Sequence, residues 1–420
     1  MSPEAIPLGP EDRAILELES ETVAGHTCKL IALGPSAPGL AELRHAASAR
    51  ITAIPALTRR LDGPPEALCW VTDAGFDIRE HLVETRVGAP VSDGELPGVV
   101  AGLFEQRLDR GRPLWRLDLV RLAGGRAALV WRIHHAVADG TTTMRFARDL
   151  LWDPVAAETA SRAPSPASAA EDDRRRHAHL AGFLQREFSR SRTRSPFDGR
   201  IGTRRRLGFA NVSLGALHDA AKRLEGATVN DAVLATVAGA LRRWISAHHG
   251  SMGELRARVP VSLHHEGDDA GNRDSFFSVA LPLNEPDPIA RLRAVHAATA
   301  VRKADRDAEE MDTLLRDLGQ VSSSLERFCA RLEQSPRRFA LNVSNVPGPR
   351  APVSVLGAPV EGLHTIAEIG ERHALRVSVL SYAGELCFGL CADPGIVDDV
   401  DALAGGIEAE AAALIAAASI

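Results

Sequence analysis

The stretch from Ala127 to Asp153 constrains the fold more than any other part of the chain. Ala127 to His134 is rich in apolar and β-favouring residues and predicts a strand. Its alternation places Leu129, Trp131, Ile133 and His135 on one face, with Val130, Arg132 and His134 on the other. After the loop Ala136-Val137-Ala138-Asp139-Gly140 the period changes. Phe146, Ala147, Leu150 and Leu151 then form one face of a helix. A strand that feeds a helix through a short loop is a unit of a mixed α/β fold.

The rest of the chain repeats that mixture. Glu11 to Glu19 and Leu40 to Ala53 have helical spacing in the first half. In the second half Thr228 is a good N-cap with Asp231 three residues on, and Leu234, Val237, Ala238, Leu241 and Ile245 form the stripe of a long helix. Ala257 to Leu263, Ser275 to Leu283 and Phe339 to Val346 read as strands. Leu375 to Tyr382 and Glu385 to Cys391 read as a hairpin across Ala383-Gly384. Ile289 to Lys303 and Met311 to Leu332 read as helices, and Ala402 to Ile420 as an amphipathic closing helix carrying Glu408 and Glu410. At 420 residues the chain exceeds one ordinary core. The division expected is an α/β domain over 1–153, a Pro/Ser/Ala-rich and charged linker over 154–200, and a second α/β domain over 201–420. Arginines recur from Arg186 to Arg206, and read either as a solvated surface or as a basic face for anions.

A formal net charge of -6 argues against nucleic acid as a partner. The five cysteines are scattered without a C-x-x-C pair and read as reduced, mostly buried residues. No secretory signal opens the chain, and no apolar run reaches about 18 residues. The expectation is a cytoplasmic protein that meets a membrane or lipid droplet at most peripherally.

The chemistry gathers at His134-His135-Ala136-Val137-Ala138-Asp139-Gly140. A histidine at the end of a core strand sits where pocket mouths form. Its ordinary pKa of about 6.5 leaves it largely neutral, able to take a proton from an attacking hydroxyl. Asp139 can brace the loop, and Gly140 permits an unusual bend or a close approach. By themselves the two histidines read equally as a buried structural pair. A metal shared between them is disfavoured, because strand neighbours point to opposite faces. His248-His249 and His264-His265 read as surface or loop.

His134-His135-x-x-x-Asp139-Gly140 resembles the active-site motif of the CoA-dependent acyltransferases, the group that includes chloramphenicol acetyltransferase and nonribosomal condensation domains. Further segments resemble the bacterial wax ester synthase/diacylglycerol acyltransferase family. These are Trp70-Val71-Thr72-Asp73 with Phe76-Asp77-Ile78 and His81, then Pro113-Leu114-Trp115, Thr228-Val229-Asn230-Asp231, Ser344-Asn345-Val346-Pro347-Gly348-Pro349, and Ser381-Tyr382-Ala383-Gly384 with Phe388-Gly389. They occur in order over about residues 60 to 395. Ala24-Gly25-His26 departs from the family's Met-His, and Gly271-Asn272-Arg273 is followed by a polar Asp274-Ser275.

The resemblance implies two chloramphenicol acetyltransferase-like domains facing each other across a central channel. It implies transfer of a fatty acyl group from acyl-CoA to a fatty alcohol or diacylglycerol, with His135 as general base and no acyl-enzyme. No cofactor and no metal are implied, acyl-CoA being a substrate. Asp139 is expected to serve the loop through an arginine, with His134 and Gly140 as support and Trp115 as a core anchor. Asn230, Asp231 and Asn345 are candidate substrate contacts, although capping accounts equally for the Asn230-Asp231 pair. The alternative acceptor is a hydroxyl or amine of a specialised metabolite, with the acyl group on CoA or on a carrier-protein thioester.

Overall fold

The computed structural model describes residues 5–154, 194–262, 274–304 and 338–419. Most of the expected linker, the helical run at 311–332, His264-His265, Gly271-Asn272-Arg273 and Cys329 lie outside the described residues.

The first half begins with β1 (Ile6–Pro7), α1 (Pro10–Glu17), β2 (His26–Leu33) and α2 (Leu40–Arg50). It continues through β3 (Arg59–Asp62), β4 (Cys69–Thr72), α3 (Ile78–His81), β5 (Leu82–Thr85) and α4 (Leu96–Phe104). It ends with β6 (Trp115–Arg121), β7 (Ala127–His134) and α5 (Gly140–Leu150). The described part of the second half starts with β8 (Arg206–Ser213), α6 (Leu214–Lys222) and α7 (Val229–His248). Next come β9 (Glu254–Ser262), β10 (Asp274–Pro282), α8 (Pro288–Ala304), β11 (Leu341–Pro347), β12 (Ser354–Val355) and β13 (Ala358–Ala367). The hairpin β14 (Leu375–Tyr382) and β15 (Glu385–Ala392) and the closing helix α9 (Val400–Ala418) finish it. The mixed α/β character expected from the pattern is what the chain adopts.

Two six-stranded mixed sheets carry the structure, with a small three-stranded sheet β1-β4-β3 beside the first. The first large sheet has the order β12-β13-β2-β7-β6-β5, and the second β10-β9-β11-β14-β15-β8. Sheet membership does not follow the chain. Residues 354–367 fall in the expected second domain, yet β13 pairs antiparallel with β2 and completes the first half's sheet. A β-bulge between Val360 and Gly362 interrupts that pairing, the local bend such an irregularity brings.

The faces of β7 separate as the alternation predicts. Leu129, Trp131 and Ile133 join a core with α2 and α5 residues, including Leu43, Phe146 and Leu150. Ala128 and Val130 pack instead against Val100, Leu103 and Phe104 of α4. On that second face Arg132 is buried, donating to Asp118 at 2.8 Å and to the Leu103 and Gln106 carbonyls at 2.7 and 2.8 Å. Trp115 is the core anchor expected. It is buried, stacks on His81, and donates its indole N–H to the Leu57 carbonyl at 2.7 Å.

Two readings of surface charge are corrected. Of the arginines at the start of β8, Arg205 alone is buried, bonded to Glu368 at 2.7 Å, while Arg204 and Arg206 are exposed as expected and reach Glu105 and Asp401. Glu410, expected on the polar side of the closing helix, is buried among Arg291 and Arg243. In the Arg205–Glu368 and Arg291–Glu410 pairs a carboxylate and a guanidinium sit together out of water, which a one-dimensional amphipathic pattern cannot show.

Removing one member of a buried ion pair leaves an uncompensated charge, a loss of about 3–5 kcal/mol. Asp118→Ala should therefore lower unfolding stability by about that amount in chemical denaturation, whereas removing the exposed Asp62 beside Arg60 should cost under about 1 kcal/mol.

Candidate active site

The loop after β7 is shaped by hydrogen bonds from its own residues. The His134 carbonyl accepts from Val137 N–H at 2.9 Å and from Ala138 N–H at 3.4 Å. His134 N–H donates to the Leu114 carbonyl at 2.9 Å, and His135 N–H to the Gly25 carbonyl at 3.0 Å. Asp139 then caps α5, its Oδ1 accepting from Thr142 N–H at 2.6 Å, and its carbonyl accepts from the Thr143 hydroxyl at 2.6 Å. Such a cap contributes about 1 kcal/mol to a helix start.

His135 is half-buried at the end of the face that carries Ile133 and Trp131. Burial first, and the Arg376 charge second, push its imidazole down to about 4, against the pull of Asp139. At neutral pH the ring is therefore neutral.

His134 faces the other way. Its Nε2 lies 3.0 Å from Glu19 Oε1, and its Nδ1 accepts the Ala136 N–H at 3.1 Å. Burial works against the charge on Glu19, but the bonds from His134 and Arg110 prevail and hold its carboxyl below the usual range. Among the described residues no cluster of three or more His, Cys, Asp or Glu is arranged to hold a metal.

Gly140 opens α5 with its Cα directly against β11. A Cβ built there would lie 2.8 Å from Val346 Cγ2, so a side chain cannot enter without displacing Val346 of the second half's strand. Val346 belongs to the Ser344–Pro349 segment singled out in the sequence. Alternation along β11 turns its neighbour Asn345 to the opposite face, the side of Leu341 and Val343 in the second core. Asn230 is half-buried in the first turn of α7.

Of the two readings of Asp231, capping and substrate contact, the structure displays the capping one. Its carboxylate is fully buried and closes a capping box with Thr228, with bonds of 2.8 Å from the backbone and 2.9 Å from the hydroxyl. It also accepts from Thr299 at 2.6 Å and contacts His296 at 3.1 Å, clamping α7 to α8.

Two charged residues, one acting on His135 and one on its face of the sheet, were not singled out in the sequence. Arg376 acts on it from β14. Lys29 stands opposite Trp131 in the β2–β7 register, hence on the His135 face, and is buried with its Nζ donating to Thr365 Oγ1 at 2.7 Å. Burial pushes Lys29 down to about 8, against the pull of Asp139. A lysine inside the apolar run Cys28–Leu33 and an arginine inside Leu375–Leu380 are signals the sequence did contain.

Comparison with known proteins gives the class and then the family. Residues 8–190 match the wax ester synthase/diacylglycerol acyltransferase catalytic domain, and residues 270–414 match the C-terminal domain of the same group. A Mycobacterium tuberculosis sequence named as a diacylglycerol O-acyltransferase is 31% identical over 384 residues, covering 80% of this chain and 74% of that one. Another from the same species, named tgs1, is 28% identical over 376 residues, covering 83% and 81%. The solved wax ester synthase/diacylglycerol acyltransferase from Marinobacter aquaeolei has the same fold, with a TM-score of 0.73 at 23% identity over 99% of this chain and 100% of that one. A condensation domain of rhizomide synthetase, solved with C8-CoA, gives 0.63 at 13% identity over 97% and 95%. These matches define an O-acyltransferase by class. The chain belongs to the wax ester synthase/diacylglycerol acyltransferase family.

A clash relieved from the other side tests the Gly140 contact. Gly140→Ala should destabilise the protein by about 1–3 kcal/mol, the usual range for overpacking. Adding Val346→Ala should recover more than half of that loss relative to Val346→Ala alone, as read by thermal or chemical unfolding.

Proposed function

We propose that the protein transfers a fatty acyl group from acyl-CoA to the hydroxyl of diacylglycerol or a fatty alcohol, with His135 as the general base. The observation that carries this reading is a neutral imidazole, anchored through its backbone N–H to Gly25 and followed at once by the Asp139 cap. The imidazole takes the hydroxyl proton as the alcohol oxygen bonds to the thioester carbon. The tetrahedral intermediate then expels CoA as its thiolate, and the imidazolium returns the proton to sulfur. The enzyme ends each cycle unchanged, and no acyl-enzyme is needed.

The lipid acceptor is supported by the mycobacterial relatives, which are named as diacylglycerol O-acyltransferases. Among the described residues no helix is long and apolar enough to cross a membrane, so a lipid acceptor would be met at a membrane or droplet surface. Thiol release should be measured with several acyl-CoA lengths against diolein, hexadecanol and polar alcohols. Turnover confined to small polar acceptors would overturn the lipid reading and leave the base untouched.

His135→Ala should leave a folded protein with acyl transfer reduced at least about 10²-fold. Near-normal turnover in that variant would remove His135 from the mechanism. The acid limb supplies an independent measurement. Because burial and Arg376 lower the imidazole pKa, the basic form persists as pH falls. The acid limb of kcat/KM should lie well below 6.5, toward about 4. Replacing Arg376 by a neutral residue removes a charge that disfavours imidazolium, so the limb should move up.

A further inference from the structure

On the face of β7 away from His135, a second set of charged side chains meets the same loop. Glu19, from the segment joining α1 to β2, has a side chain 13% exposed and reaches His134, whose side chain is 3% exposed. Glu19 Oε1 also accepts from Arg110 at 2.6 Å, and Oε2 accepts from Arg107 at 3.3 Å.

The hydrogen bonds of His134 leave no choice of tautomer. Its Nδ1 accepts a backbone N–H and so carries no proton; its Nε2 must then be the donor, and the Glu19 carboxylate is the acceptor. The opposite tautomer would set an N–H against the Ala136 N–H and a lone pair against the carboxylate. Gly25 makes the approach possible. It adopts φ +71°, and a Cβ there would stand 2.6 Å from His134 Nε2 and 2.9 Å from Glu19 Cγ. The carbonyl of this same glycine receives the His135 N–H.

We propose that Glu19 is a positioning residue for acyl transfer: it holds His134 as the Nε2–H tautomer, and the Nδ1 so fixed holds the Ala136 N–H and the turn that aims His135. The chain of contacts is short. Glu19 fixes the ring of His134, the ring fixes the backbone one residue past His135, and Gly25 fixes the backbone of His135 itself. This inference rests on His135 as the base, but its experiment reads Glu19 and His134 separately.

The surroundings supply a specific test. A small cavity of about 110 Å³ adjoins Glu19, lined also by Arg107, Arg110, Leu108, Leu114 and His134. Glu19→Ala enlarges it and leaves two guanidiniums facing the space the carboxylate vacates. A small carboxylate anion should bind there and accept the His134 Nε2–H in place of the side chain.

The expected result for Glu19→Ala is a kcat lower by about 10- to 100-fold, the scale on which a misplacement of about 1 Å acts, with KM for both substrates within about twofold. Formate should restore kcat saturably by at least about fivefold, while chloride at equal ionic strength should not. Glu19→Gln, which keeps an acceptor oxygen, should recover most of the kcat that Glu19→Ala loses. The proposal is overturned by an unchanged kcat in Glu19→Ala, by a change confined to KM, or by a loss that formate raises no more than chloride does. Should Glu19→Ala not fold, ¹⁵N NMR of the histidine-labelled wild-type protein decides. A bare Nδ1 and protonated Nε2 on His134 are expected, and the other tautomer overturns the proposal. Neither arm depends on whether His135→Ala abolishes turnover, so the two assignments can fail independently.

Discussion

The antiparallel pairing of β2 with β7 decides which of two adjacent histidines faces which way. In that register His26 stands opposite His134, Thr27 opposite Ile133 and Lys29 opposite Trp131. Side chains alternate, so slipping either strand by one residue would exchange the two faces and turn His134 toward the side that His135 now occupies. Several features oppose the slip. His26 Nε2 bonds to the Phe104 carbonyl at 2.7 Å, Arg132 is buried against Asp118, and position 25 leaves room only for glycine beneath His134. Lys29 bonds to Thr365 on the other face. Each contact belongs to one face alone, and each would be lost in the shifted register.

The second half is brought to this site by β13, and by places where a backbone can approach because no Cβ intervenes. A Cβ on Gly140 would stand 2.8 Å from Val346, and one on Gly389 2.1 Å from the Thr365 carbonyl of β13. Thr365 is the partner of Lys29, so the Gly389 approach sets β15 directly behind the site's buried cation. The Arg205–Glu368 pair works at the same junction. Glu368 Oε2 also accepts from Ala24 N–H at 3.4 Å, which ties residues just before β2 to the end of β13. The loop that carries His135 is thus framed by both halves of the chain, although its own residues are consecutive.

What the sequence disclosed was local, and what it concealed was not. Strand Ala127–His134, the α5 start, the Thr228 cap and the β14–β15 hairpin have the bounds their patterns implied, because alternation, capping and turn chemistry act within a few residues. The hairpin turn uses Ala383 and Gly384, both at positive φ. The crossing of β13 into the first sheet left no such mark, since a strand's sequence records that it is half-buried but not against whom. Arg205 and Glu410 were read as solvated for the same reason: their partners lie 163 and 119 residues away. Asp231 shows a different limit. The capping box was legible, but its further partners Thr299 and His296 on a later helix were not.

The two histidines also show how one dipeptide supports two chemistries. His134 is given a carboxylate and a backbone donor, so both ring nitrogens are spoken for and the ring acts as a fixed strut. His135 is given burial and the field of Arg376, both of which disfavour imidazolium. A base of lowered pKa is intrinsically weaker, which on its own would slow proton removal. In the proposed step, however, imidazolium does not form alone. Negative charge develops on the thioester oxygen as the proton moves, and the positive field that opposes imidazolium in the free enzyme favours that oxygen. Asp139 pulls the other way on the ring, toward accepting the proton. With these opposed fields, protonation without attack is disfavoured and protonation with attack is offset by the new anion. In the proposed step the lowered pKa thus links the proton's arrival on nitrogen to the bond forming at carbon.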